Sequence, residues 1–76
     1  MPTPLYERVF NELKSRIDSW KYSVNSFIPS EINLMKEFNV SRVTIRRAIQ
    51  ELELIGLVER IHGKGTRVNI KNYIRI

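Results

Sequence analysis

Two helices with hydrophobic stripes, joined by only about three residues, constrain this chain more than any other feature. Leu34, Met35 and Phe38 share a face of a helix that begins after Ser30. Ile45, Ala48, Ile49, Leu52 and Ile55 form the stripe of another, which begins after Ser41. Asn39, Val40 and Ser41 join them, and Asn tolerates the positive φ of a tight turn. Ser30 and Ser41 are each placed to cap the helix that follows, with Glu31 in the first turn, where the helix dipole favours an anion. Gly56 ends the second stripe, as a glycine just past a helix does. Two helices joined by about three residues have the geometry of a helix-turn-helix.

The flanking segments complete a small domain. Thr3-Pro4 reads as a helix start, with Thr3 as N-cap and Pro4 at the first helical position. Leu5, Val9, Leu13, Ile17 and Trp20 then recur at helical spacing, flanked by Tyr6 and Phe10, which predicts a first helix over about 4–20. Residues 21–29 read as a loop, with Phe27-Ile28 a candidate short strand and Pro29 holding Ile28 extended. After Gly56 the period becomes two. Leu57, Glu59 and Ile61 fall on one side, and Val58, Arg60 and His62 on the other. His62-Gly63-Lys64-Gly65 is a turn, and Thr66, Val68 and Ile70 alternate again, which makes a β-hairpin. The expected fold is mainly α with a small β-hairpin: a winged helix-turn-helix of three helices plus a wing. Its 76 residues allow one domain, over 1–70, with the helix-turn-helix at 31–50 and the wing at 57–70.

Charge narrows the function. The chain has 13 Lys+Arg against 8 Asp+Glu, a formal +5. Residues 1–40 are balanced, so the whole excess lies in 41–76, on Arg42, Arg46, Arg47, Arg60, Lys64, Arg67, Lys71 and Arg75. A segregated basic patch points to a polyanion such as nucleic acid. A solvated surface that keeps a small protein in solution accounts for the same charge. There is no cysteine, hence no disulfide framework or thiolate metal site, and the lone His62 has no co-ligand, so no metal or other cofactor is expected. Catalysis lacks a nucleophile–base arrangement and a conspicuous carboxylate pair, so no enzyme is expected. No apolar run approaches 18 residues and the N-terminus has no signal-peptide core, which predicts a cytoplasmic domain with no membrane partner.

The start of the third helix carries the sharpest constellation. With Ile45, Ala48, Ile49 and Leu52 turned to the core, Arg42, Val43, Thr44, Arg46, Arg47 and Gln50 occupy the other faces. Arg42 and Arg46 are four apart and share one side. Arginine can grip guanine O6 and N7 or a phosphate, valine can meet a thymine methyl, and a helix N-terminus favours phosphate. The competing reading is a solvated amphipathic helix with Arg47 paired to Glu51, and Thr44 capping the helix start. At the turn, Lys64 beside Gly63 offers charge on a small tip able to approach a phosphate or the minor groove; an ordinary hairpin turn accounts for it too. Gly63-Lys64-Gly65-Thr66 stands between two strands, so it is no P-loop.

Taken together these residues resemble the N-terminal DNA-binding domain of the GntR family of bacterial transcription regulators. The likeness runs over about residues 4–69. It is carried by Pro4-Leu5-Tyr6, Ile28-Pro29-Ser30-Glu31 with Leu34 and Phe38, and Val40-Ser41-Arg42 with Thr44, Arg46 and Ala48. Leu52, Gly56-Leu57-Val58 and Gly63-Lys64-Gly65-Thr66 with Val68 complete it. The resemblance implies that Arg42 and Arg46 contact DNA bases or phosphates, that Thr44 meets a phosphate beside Ser41, and that Gly63 reaches the minor groove flanked by His62 and Lys64. Ser30 and Glu31 join this DNA-binding set with Val43 and Arg47. It also implies palindromic operators bound by homodimers, usually repression, and a separate C-terminal domain that senses a metabolite. An isolated domain would then be a monomer or weak dimer.

Three departures from the family pattern stand out. Ile32 occupies a position where an arginine usually follows the Pro-Ser-Glu, leaving Lys36 as a candidate replacement. Trp20 and Asn25 stand where the loop after the first helix usually has glycines; Asn25 can take positive φ, whereas Trp20 suggests a reshaped helix end. The effector domain is absent, so Tyr73, Ile74 and Ile76 in the tail 71–76 read either as the start of a linker or as a frayed end. The alternative function is a winged-helix protein-interaction module without DNA binding. RNA binding would call for an aromatic stacking platform, and nothing here resembles one.

Overall fold

The computed structural model describes residues 3–69, which form three helices followed by a two-stranded antiparallel hairpin. The helices are α1 (Leu5–Asp18), α2 (Glu31–Phe38) and α3 (Arg42–Leu54), and the strands are β1 (Val58–Ile61) and β2 (Gly65–Val68). Ile70 and the tail 71–76 lie outside the described residues, and with them the reading of that tail.

Helix ends follow their capping chemistry where a serine or glycine supplies it. Ser30 Oγ accepts from Asn33 N at 3.1 Å, and Ser41 Oγ accepts from Thr44 N at 3.3 Å. Gly56, at φ 83°, closes α3 with its N–H on Glu53 O. The start of α1 differs from expectation. Its N-cap is Pro4, at φ −54° and ψ 147°, with no side-chain cap, and Pro4 O accepts from Glu7 and Arg8 N. Extended Pro4 sets the boundary by itself, and Thr3 caps nothing.

At its other end α1 stops at Asp18, two residues short of the prediction. Trp20 and Asn25 both sit at φ 69°. The positive φ that a glycine would supply is therefore kept by a tryptophan, with Trp20 N on Ile17 O and Tyr22 N on Arg16 O closing the helix end. That conformation cannot extend a helix, so Trp20 leaves the stripe and is 61% exposed.

The core is built from Val9, Leu13 and Ile17 of α1, Leu34 of α2, and Ile45, Ala48, Ile49 and Leu52 of α3. Leu5 and Ile55, the outer members of the two long stripes, are exposed, because the stripes run past the segments that pack. Ile28, Leu57, Val58 and Val68 extend the core to the wing. Leu57 and Val58 are both buried although adjacent: Leu57 precedes β1, with its N–H on Leu52 O, so strand alternation does not apply to it.

The wing is paired Val58↔Val68, Glu59↔Arg67, Arg60↔Thr66 and Ile61↔Gly65. The candidate strand at Phe27-Ile28 is a single bridge, Phe27↔Arg67, on the free edge of β2. Around it Asn25 N donates to Val68 O, Val68 N to Ser26 O and Ile28 N to Thr66 O, each at 2.9 Å. The loop before α2 thus ties the wing to the helices. A second tie joins α1 to α2. Arg16 of α1, nearly buried, pairs with Glu12 and with Glu37 of α2 and lies over the rings of Tyr22 and Phe38. Its hydrogen bond to Glu37 raises the guanidinium pKa, and the same bond holds the Glu37 carboxyl below its ordinary value.

The tight turn depends on Asn39, at φ 55° and ψ 52°, with Val40 N on Met35 O behind it. Asn39→Ala is expected to lower stability by about 1 kcal/mol, since alanine lacks asparagine's tolerance of this region. Asn39→Gly should stay close to the parent. Urea midpoints of the two variants check this, and equal losses would remove the backbone explanation.

Candidate nucleic-acid interface

α3 projects Arg42 and Arg46 from one side, and α2 begins directly beneath them. Glu31, the first residue of α2, places Oε1 at 3.6 Å from Arg42 Nε and Oε2 at 3.7 Å from Arg46 Nε. These separations exceed a hydrogen bond, so one carboxylate sits between two guanidiniums as a charge rather than a fixed acceptor. Both arginines remain about half exposed. Neither side chain is locked, and their donor edges are open to a ligand.

The sequence-predicted residues fall into five groups. Ser30, Glu31, Arg42, His62 and Lys64 line one open groove of about 590 Å³ between the α2–α3 ends and the wing, and Arg46 joins them through Glu31. Gly63 stands at the exposed hairpin tip at φ 75°, with nothing within 4 Å of where a Cβ would be. Ser41 and Thr44 are engaged with each other at 3.2 Å as well as in the cap, and Thr44 is half buried. Val43 is 76% exposed on α3, an apolar side chain with no packing role. Arg47 is apart from the groove. It does not pair with Glu51; its guanidinium lies over the ring of Tyr6, 4.1 Å from the centroid.

Ile32 is exposed and lines the same groove where an arginine was expected, and Lys36 is exposed one turn further along α2. Gly65, at φ 130°, stands opposite Ile61 at the turn end of the wing, and its would-be Cβ lies 3.3 Å from Phe27 Cδ2. That contact leaves little room for a larger residue.

Two basic or aromatic residues were missed as members of this surface. Arg60 lines the groove from β1. It reaches Glu53 only at 3.9 Å, and its Nη2 is buried with no hydrogen-bond partner. Its alternation with His62 on one side of the strand was the available signal. Tyr6 had its position beside the α1 stripe and its place in Pro4-Leu5-Tyr6, neither of which indicates its pairing with Arg47, which crosses from one helix to another. Among the described residues there is no group of three His, Cys, Asp or Glu able to hold a metal ion, and no helix is long and apolar enough to cross a membrane.

Comparison with known proteins bears on this geometry. The family described as bacterial regulatory proteins, gntR family, matches residues 5–68. The chain is 44% identical over 61 residues to the HTH-type transcriptional regulator GmuR of Bacillus subtilis (strain 168), covering 80% of this chain and 26% of that protein. It is 42% identical over 67 residues to the histidine utilization repressor of Klebsiella aerogenes, covering 88% of this chain and 28% of that one. The chain therefore spans about a quarter of the length of these relatives. Among solved structures it is similar to AraR(DBD) in complex with operator ORR3, with a TM-score of 0.87 and 41% identity over 90% of this chain and 82% of that chain. The three helices and hairpin are thus a winged helix-turn-helix.

Proposed function

Because the chain belongs to the gntR family of bacterial regulatory proteins, we propose that it binds double-stranded DNA sequence-specifically, as the DNA-binding domain of a cytoplasmic, metabolite-responsive repressor. The observation that carries this reading is the basic, open surface formed by Arg42 and Arg46 at the start of α3, facing a wing tip that presents His62, Gly63 and Lys64 across one groove. The relatives support it: they are named as transcriptional regulators and repressors, and the similar AraR domain was solved on operator DNA. Their names are those of regulators, not of enzymes.

The geometry suits a division of labour. α3 enters the major groove with its N-terminal turns against the bases. Arg42 and Arg46 present two forks to guanine O6 and N7, and Val43 presents methyl groups to thymine. Glu31 keeps the two guanidiniums near each other and offers an acceptor to a cytosine amino group. Ser30, Ser41 and Thr44 meet backbone phosphate at the two helix starts, where free N–H groups and the dipole favour it. The wing lies along the adjacent backbone, with Gly63 in the minor groove and Lys64 against a phosphate. A regulator of the relatives' length would bring two such domains to a palindrome as a homodimer, with half-sites one helical turn, about 34 Å, apart.

Selection from a random duplex library tests the reading. An enriched common motif, bound with an affinity that falls steeply with salt, is expected. Enrichment of nothing, with affinity insensitive to salt, would favour the protein-interaction alternative. At the wing, Lys64→Ala should reduce the slope of log K against log salt by about one unit. An unchanged slope would take Lys64 out of the interface.

A further inference from the structure

Arg47 is the one arginine of the α3 N-terminal half that Glu31 does not touch, and its surroundings differ from those of Arg42 and Arg46. Glu51 stands four residues on, the spacing at which an ion pair is readily made. Among the described residues Arg47 makes no ion pair, and its guanidinium lies on the face of Tyr6 at 4.1 Å from the ring centroid. Tyr6 is in the first turn of α1 and half buried, so its ring is the more restrained member of the pair, while Arg47 is exposed. Stacking occupies the flat face of a guanidinium and leaves its N–H edge outward. The charge is thereby restrained without being neutralised, which is what a phosphate contact needs and what a pair with Glu51 would spoil.

We infer that Tyr6 is a positioning residue for DNA binding: its ring holds Arg47 as a phosphate contact on the α1 flank of α3, extending the interface onto α1. The inference rests on the DNA-binding reading above and adds to it a residue outside the helix-turn-helix and wing. Restraining a long side chain in advance lowers the ordering cost of binding. The ring alone does this, so Phe serves as well as Tyr, and an aliphatic residue does not.

The test uses a labelled 20-base-pair mixed-sequence duplex, titrated between 50 and 200 mM salt, with thermal unfolding followed alongside. Arg47→Ala should lower the salt slope by about one unit. Tyr6→Leu should weaken binding about 2–5-fold, Tyr6→Phe should match the parent, and Tyr6→Leu combined with Arg47→Ala should bind no worse than Arg47→Ala alone. An Arg47→Ala slope equal to the parent's overturns the inference. So do additive losses in the double variant, or a Tyr6→Phe variant as weak as Tyr6→Leu. If Tyr6→Leu does not fold, the Arg47→Ala slope and the Tyr6→Phe affinity still decide. A parent protein without salt-dependent affinity for the duplex would instead bring down the DNA-binding reading itself.

Discussion

Arg42→Ala is expected to weaken binding to a selected site by about 1–3 kcal/mol and to relax sequence preference at one position of each half-site. The size follows from what is lost: one planar fork with two donors at the start of α3, on a side chain that is half exposed. Arg42→Lys should recover little, because an ammonium keeps the charge and loses the two-point geometry. Glu31 sharpens the expectation. Its carboxylate lies between Arg42 and Arg46, so removing Arg42 leaves Glu31 facing DNA with one cation instead of two. Competition binding against variants of the site gives the readout. A loss of equal size for every sequence would make Arg42 a phosphate contact and remove its reading role.

Leu34→Ala is expected to cost about 2–5 kcal/mol of folding stability. Leu34 is the buried residue of α2, fully enclosed in the shared core, and α2 has eight residues with which to hold itself in place. A chain of 76 residues has about 4–11 kcal/mol in total, so the variant should be partly unfolded near physiological temperature. Denaturant titration measures it. The consequence reaches the site, because α2 carries Ser30 and Glu31 under the arginines of α3. Leu34→Met, which keeps the volume, should cost less than about 1.5 kcal/mol and keep DNA affinity. A Leu34→Ala protein as stable as its parent would mean that α2 is held by its ends, through Ser30, Asn39 and the Arg16–Glu37 pair.

What was legible in the sequence was local chemistry. Ser30, Ser41, Asn39 and Gly56 each satisfy or terminate a backbone that needs that residue type, and each sits where the spacing placed it. Periodicity found the core faces but not their limits. Leu5 and Ile55 keep the period of their stripes where the packing partner ends before they do, whereas Trp20 leaves its stripe because the helix stops at Asp18. Cross-element pairings had no local signal. Arg47 had a partner available four residues on and stacks on Tyr6 of another helix, and Glu31 meets Arg42 and Arg46 only because the turn brings α2 beneath α3. Phe27-Ile28 read as a short strand with no partner assigned; the structure reduces it to a single bridge, Phe27↔Arg67, on the edge of β2.

The most direct test of the central claim is an amide chemical-shift titration of the protein with duplex DNA. The largest changes are predicted at residues 41–47 and 62–64 and at Glu31, with Tyr6 following Arg47, and little change at Lys14, Asp18 and Ser19 on the far end of α1. Changes centred on that far end, or none at all at low salt, would contradict it.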